Sequence, residues 1–382
     1  MSEQTFDELD QKKAQPGALL DHLIGTLREE KKYHDLFDAF LLKYRHEHNL
    51  PLARPTSFTD VPPERATEFE EAYVKAAKEV GGYFLGDGDI AKAWMYLKPV
   101  KESQKVAEAI EALHPSRADD ELVDIAFFQG VAPVRGLRMM LATHGTCSTI
   151  TSFDQNFGNL PAEQRKKCAA VLVSELYKQL RDSVQHEVQR RQPMATPGQT
   201  LKELIAGKDE LFADDNYHID VSHLNAVVRF ARTLEPVDPE LKLALQLAQY
   251  GSKLAEQYRY AGSPPFEDFY AAHIEYFQVL LNTNREEGLA YFRDKLGPDV
   301  DDQQNQLTAY VLVDLLQRIG KPAEALEIAC KYLSKNAEDF GFSLAEMCAT
   351  AGRNDLYQKI AKEQGDLIGY ASALLTPPKA AS

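Results

Sequence analysis

Along this chain apolar side chains recur three and four positions apart, while the strict alternation of a half-buried strand is almost absent. Leu19, Leu20, Leu23 and Leu27, then Leu36, Phe37, Phe40, Leu41 and Tyr44, predict two successive helices between 18 and 48. Prolines at 51, 55, 62 and 63 break the pattern. Pro63 suits the first turn of a helix over about 63–80, where its missing N–H has no partner to lose. Gly81-Gly82 and Gly86-Asp87-Gly88-Asp89 read as a turn, with Asp89 as N-cap of a helix bearing Ala93, Trp94 and Leu97. Another amphipathic stretch over Val106, Ile110 and Leu113 ends at His114-Pro115. The same period predicts helices near 119–128, 133–144, 162–191, 199–206, 222–234, 239–258, 265–282, 286–296, 305–319, 322–334, 342–351 and 354–374. Pro193 and Pro197-Gly198 stop the longest of them. Residues 1–15 and the tail 376–382 are expected to be disordered.

The clearest repeat unit runs from Tyr310 to Leu333. One helix ends at Ile319-Gly320, where glycine can take a left-handed cap, and Pro322 opens the next. Small Ala325 and Ala329 let the two approach closely. A second hairpin follows over Leu344, Met347, Ala351-Gly352, Leu356 and Ile360, and Gly88 to Leu97 is a weaker echo. This succession of helix, glycine-containing turn and alanine-bearing helix resembles the tetratricopeptide repeat, most clearly over 305–365. The resemblance implies an α-solenoid whose concave face binds peptides or partner proteins. The expected fold is thus all-α, an array of antiparallel helical hairpins. Hairpins over 16–115 precede a less regular helical middle over 119–282, and tetratricopeptide-like hairpins occupy 285–375.

Composition narrows the function. The hydrophobic fraction of 44% and charged fraction of 26% are those of a globular chain. A net charge of −15 opposes binding to nucleic acid or an anionic membrane surface, and neither partner is expected. Cysteines at 147, 168, 330 and 348 match no zinc template and read as buried thiols of a cytoplasmic protein. The acidic N-terminus lacks the apolar core of a secretory signal, and no apolar run approaches the roughly 20 residues that span a bilayer. No phosphate-binding glycine loop is present, and Asp87-Gly88-Asp89 lacks the terminal glutamate of a calcium loop because Lys98 stands there.

One polar cluster invites chemistry. Within Asp214 to His223, His218, Asp220 and His223 offer nitrogen and oxygen donors suited to a divalent transition metal. On one regular helix the two histidines would diverge by about 140°. They could serve together only if His218 lies on an irregular approach and His223 in the first turn of the next helix. Alternatively, Asp220 or Ser222 is an N-cap ahead of Leu224, Val227, Val228 and Ala231. His144, and His186 with Glu187 on the long helix, could complete a site assembled from several helices. His186-Glu187 is not a zincin motif, since Arg190 occupies the second ligand position. Cys147 and His144 could pair as a nucleophile only with an orienting third group. Phe266, Phe269, Tyr270, His273 and Phe277 form a stripe that reads as core, with His273 hydrogen-bonded inside it.

Two functions are therefore carried forward. The leading one is a non-catalytic helical-repeat scaffold for a protein or peptide partner, without resident cofactor, with Tyr217, Arg229, Tyr258 and Tyr260 as candidate binding residues. The alternative is a metal-dependent enzyme or metal-binding helical domain using His144, His186, Glu187, His218, Asp220 and His223.

Overall fold

The computed structural model describes residues 3–191, 200–334 and 341–376. The stop at Pro193 and Pro197-Gly198 and the tail beyond 376 lie outside them. Among the described residues the protein is all-α. There are twenty α-helices with short 3-10 turns and no strand, and an isolated antiparallel bridge joins Ala261 to Asp268. No helix is long and apolar enough to cross a membrane. The chain divides into two compact units, Met1–Asn156 and Phe157–Ser382.

The first unit holds α1 (Glu3–Lys12), α2 (Pro16–Glu29), α3 (Tyr33–Glu47), α4 (Ala66–Gly86), α5 (Ile90–Leu97), α6 (Ser103–Ala112), α7 (Asp120–Val123), α8 (Pro133–Thr143) and α9 (Gly145–Asn156). Successive helices pack on each other, α2 on α3, α3 on α4 and α4 on α5. Three expectations change here. Residues 3–12 form a helix rather than a disordered arm; it packs on α2, buries Thr5 and bonds Glu8 to the His22 ring at 2.9 Å. Gly81-Gly82 is not a turn, because α4 runs through it. Gly81 is there for closeness, since a Cβ on it would lie 2.6 Å from the Leu97 side chain of α5. No helix is expected between 144 and 162, yet left-handed Gly145 opens α9, which runs to Asn156. Asp89 caps α5 as expected, accepting from the Lys92 amide at 3.1 Å.

The loop between α3 and α4 is tied from beneath. Arg45, fully buried, donates to the carbonyls of Pro51, Pro55 and Ser57 and to the Asp60 carboxylate. That loop is rich in proline, which lacks N–H donors, so a buried guanidinium supplies them from the side.

The second unit holds α10 (Ala162–Arg191), α11 (Leu201–Ile205), α12 (Val221–Phe230), α13 (Glu240–Gly251), α14 (Phe269–Leu281), α15 (Arg285–Arg293), α16 (Gln303–Arg318), α17 (Pro322–Tyr332), α18 (Leu344–Thr350), α19 (Asn354–Gln364) and α20 (Leu367–Leu375). The long α10 contacts α11, α12 and α13, burying Leu172, Leu176, Leu180 and Val184 one to two turns apart. The aromatic stripe on α14 is core, and His273 inside it is bonded through Nδ1 to the Phe269 carbonyl at 2.6 Å. Gly320 takes φ +77° between α16 and α17, Pro322 opens α17, and Ala325 and Ala329 are fully buried. The stretch expected as one helix over 354–374 is two, because left-handed Gly365 caps α19 and Asp366 caps α20.

Candidate functional site

In the second unit, the first turn of α10, the 3-10 turn Ala231–Thr233 after α12, and residues of α14 and α16 enclose a cavity of about 400 Å³. Arg165, Lys166, Arg229, Arg232 and Arg318 line it, against the carboxylates Glu163, Glu235 and Asp314. Phe157, Phe230, Tyr276, Tyr310 and Val311 complete the wall. Five cationic and three anionic side chains thus share the lining, in a chain of net charge −15.

Aromatic rings hold the guanidiniums. Arg165 lies 5.3 Å from the Phe157 ring centroid, Arg229 5.1 Å from Phe230, Arg232 4.7 Å from Phe266 and Arg318 5.8 Å from Tyr276. Phe157 in turn stacks on Phe230, 5.5 Å between centroids. Stacking fixes the plane of a guanidinium without using its edge donors.

Arg318 is part of the frame. It donates to the Arg232 carbonyl at 2.8 Å, to Asp314 at 3.2 Å, to the Leu234 carbonyl, and through Nε to Glu235 at 3.4 Å. Tyr276 donates to Asp314 at 2.8 Å. These bonds pin the turn carrying Arg232 onto α16. Burial opposes the Arg318 charge, but Tyr276, Asp314 and Glu235 together hold its pKa above the ordinary value. Lys166 pairs with Glu163 at 3.0 Å.

Arg165 and Arg232 stand apart from these. Among the described residues no carboxylate pairs with either, and Arg165 Nε is buried without a hydrogen-bond partner. Burial drives the Arg232 guanidinium below its ordinary pKa, Arg229 adds repulsion, and Tyr276, Tyr310 and Asp314 only partly oppose the shift. Tyr310 is raised chiefly by its own burial and then by Asp314, so it is a neutral donor here. The cavity therefore combines a desolvated Arg232 guanidinium and a buried, unpartnered Arg165 Nε with apolar wall, an arrangement that receives anions.

The residues singled out from the sequence fall elsewhere, except Arg229. His186, Glu187, Tyr217, His218 and Asp220 share a shallow depression of about 640 Å³ at the end of α10, with Arg190 and Arg191. Tyr258 meets Tyr217 edge-on at 5.1 Å, whereas Tyr260 is exposed and packs on Phe269. The carboxylates of that depression are committed. Arg190 and Arg191 bond Glu187 and hold its pKa at about 2. Asp220 accepts from Ser222 and from the His223 amide as the N-cap of α12, which lowers its pKa. His218 Nδ1 bonds the Tyr250 hydroxyl at 2.9 Å, and burial lowers its pKa while Glu187 opposes. His144 belongs to the first unit, where it is exposed and pairs with Asp120 at 3.2 Å; Cys147 is exposed too. No three or more His, Cys, Asp or Glu side chains among the described residues are placed to hold a metal ion.

Arg165, Arg232, Arg318, Tyr276 and Asp314 escape the sequence reading because their local spacing is ordinary. Arg229 and Arg232 three apart, or Asp314 and Arg318 four apart, are patterns of any solvated helix face. No protein-family model matches the chain, nor does a curated protein or a solved structure.

Proposed function

We propose that this all-α protein is a non-catalytic binding module of the helical-repeat kind, whose α16–α20 region is a tetratricopeptide-like array of antiparallel hairpins. Its ligand, a peptide or protein partner, places an acidic group in the arginine cavity. One observation carries the reading: two guanidiniums, Arg165 and Arg232, line a cavity of about 400 Å³ with no carboxylate partner among the described residues. An uncompensated, desolvated cation is costly, and a ligand anion removes that cost on binding. The repeat character rests on Gly320, Pro322, Ala325 and Ala329, which stand where a close helix–turn–helix needs them.

The test is thermal denaturation of the full chain with Asp/Glu-rich peptides, Lys-rich peptides of equal length, and benzoate. At about a hundredfold excess over Kd a ligand stabilises by roughly 2.7 kcal/mol. Acidic ligands should raise the melting temperature by several degrees, insensitively to chelators, and the R165Q/R232Q double variant should lose the response. Absence of any shift with every acidic probe would sink the reading, as would an equal shift in the double variant.

A further inference from the structure

Resting on the reading that the arginine cavity takes an acidic group, we propose that this group is a phosphate monoester borne on an aromatic ring. Charge selects the phosphate. Arg165 and Arg232 bring two positive charges to the lining that no carboxylate among the described residues pairs with. A single carboxylate would leave one of them uncompensated in a desolvated wall. A phosphate monoester carries about −1.5 to −2 at neutral pH and presents three acceptor oxygens. Its oxygens match two planar guanidinium forks, which bind phosphate in bidentate fashion. Arg165 Nε is buried without a hydrogen-bond partner, and Arg232 stacks on Phe266 with no carboxylate pairing it among the described residues.

Shape selects the ring. Ligand pockets run from about 300 to 1,000 Å³, so a cavity of about 400 Å³ is too large for bare phosphate to fill. The wall beyond the cations is Phe157 stacked on Phe230, with Tyr310 and Val311. Tyr310 keeps 36% of its surface exposed, so this apolar side can be reached from solvent. A flat ring can lie against Phe157 and Tyr310, which keep exposed surface, while its phosphate reaches the arginines. The fold itself supplies the frame: Arg318 clamps the Arg232 turn to α16 through the Arg232 and Leu234 carbonyls.

The experiment is titration calorimetry of the full-length protein with phenyl phosphate, inorganic phosphate and benzoate, and with a short phosphotyrosine peptide and its unphosphorylated form. Phenyl phosphate should bind at least tenfold more tightly than either inorganic phosphate or benzoate. R165Q and R232Q should each weaken it at least tenfold while still melting cooperatively. The phosphotyrosine peptide should bind and its unphosphorylated form should not; the ratio of its affinity to that of phenyl phosphate distinguishes a peptide source from a small aryl phosphate. Benzoate binding as tightly as phenyl phosphate would overturn the phosphate inference and leave the acidic-group reading standing. Inorganic phosphate matching phenyl phosphate would overturn the ring. Silence from all five probes would overturn both readings together.

Discussion

Replacing Arg232 by methionine separates the cost of its charge from the packing of its stem. In the free protein the guanidinium is stacked 4.7 Å from the Phe266 centroid, has no carboxylate partner among the described residues, and sits beside the like charge of Arg229. Effective desolvation of a charge in a protein interior costs several kcal/mol. The cation–π contact returns about 0.5–2 kcal/mol. The balance therefore favours the variant. Arg232→Met, which keeps an unbranched apolar stem against Phe266, should stabilise the unliganded protein by about 1 kcal/mol or more. For a unit of this size that is a rise of roughly 2–4 °C in melting temperature. The sign is independent of pH over the usual range. The folded-state pKa is lowered, so the folded state disfavours the protonated form. Both folded and unfolded chains are protonated well below that pKa, so the full penalty is present throughout. Calorimetry and urea titration at low ionic strength, without phosphate or carboxylate buffers, measure the effect. A loss of about 2 kcal/mol or more would refute the reasoning, since it would mean that Arg232 is held by a partner in the free state and is not waiting for one.

Arg45→Met in the first unit should behave oppositely. Arg45 is fully buried and serves three carbonyls and Asp60, so its removal should cost about 3–5 kcal/mol in the same urea titration; a loss under 1 kcal/mol would show that water replaces it freely. His273 gives a pH signature. Burial, with help from Arg232, pushes its folded pKa down to about 3 from an ordinary 6.5. The unfolded chain therefore takes up the proton first as pH falls. Stability from this group is complete above about 6.5 and is lost toward 3, at roughly 1.4 kcal/mol per pH unit within that window. Urea midpoints from pH 7 to 4 should fall in the native chain and much less in His273→Phe, and parallel slopes would contradict the assignment.

What the sequence determined by itself is the set of locally encoded features. Helix period, the Asp89 and Asp220 caps, the left-handed Gly320 and the opening Pro322 depend on residues within a turn or two of each other. Burial of the α14 stripe was equally legible, because one face of a helix is a property of that helix alone. Tertiary structure decided the rest. Gly81 looks like a turn residue until Leu97 of the neighbouring helix is seen lying against it. Residues 3–12 look too polar to order until α2 gives them a surface to pack on. The His218 region was conspicuous in sequence because its polar residues are adjacent, yet adjacency is what lets Asp220 and Glu187 spend themselves on local caps and ion pairs. The arginine cavity has the reverse character. Arg165, Arg232, Tyr276 and Arg318 come from four separate segments, and each sits in an unremarkable local pattern. Only the packing of α10, α14 and α16 around the turn after α12 removes them from water together, and that desolvation turns ordinary surface charges into a site.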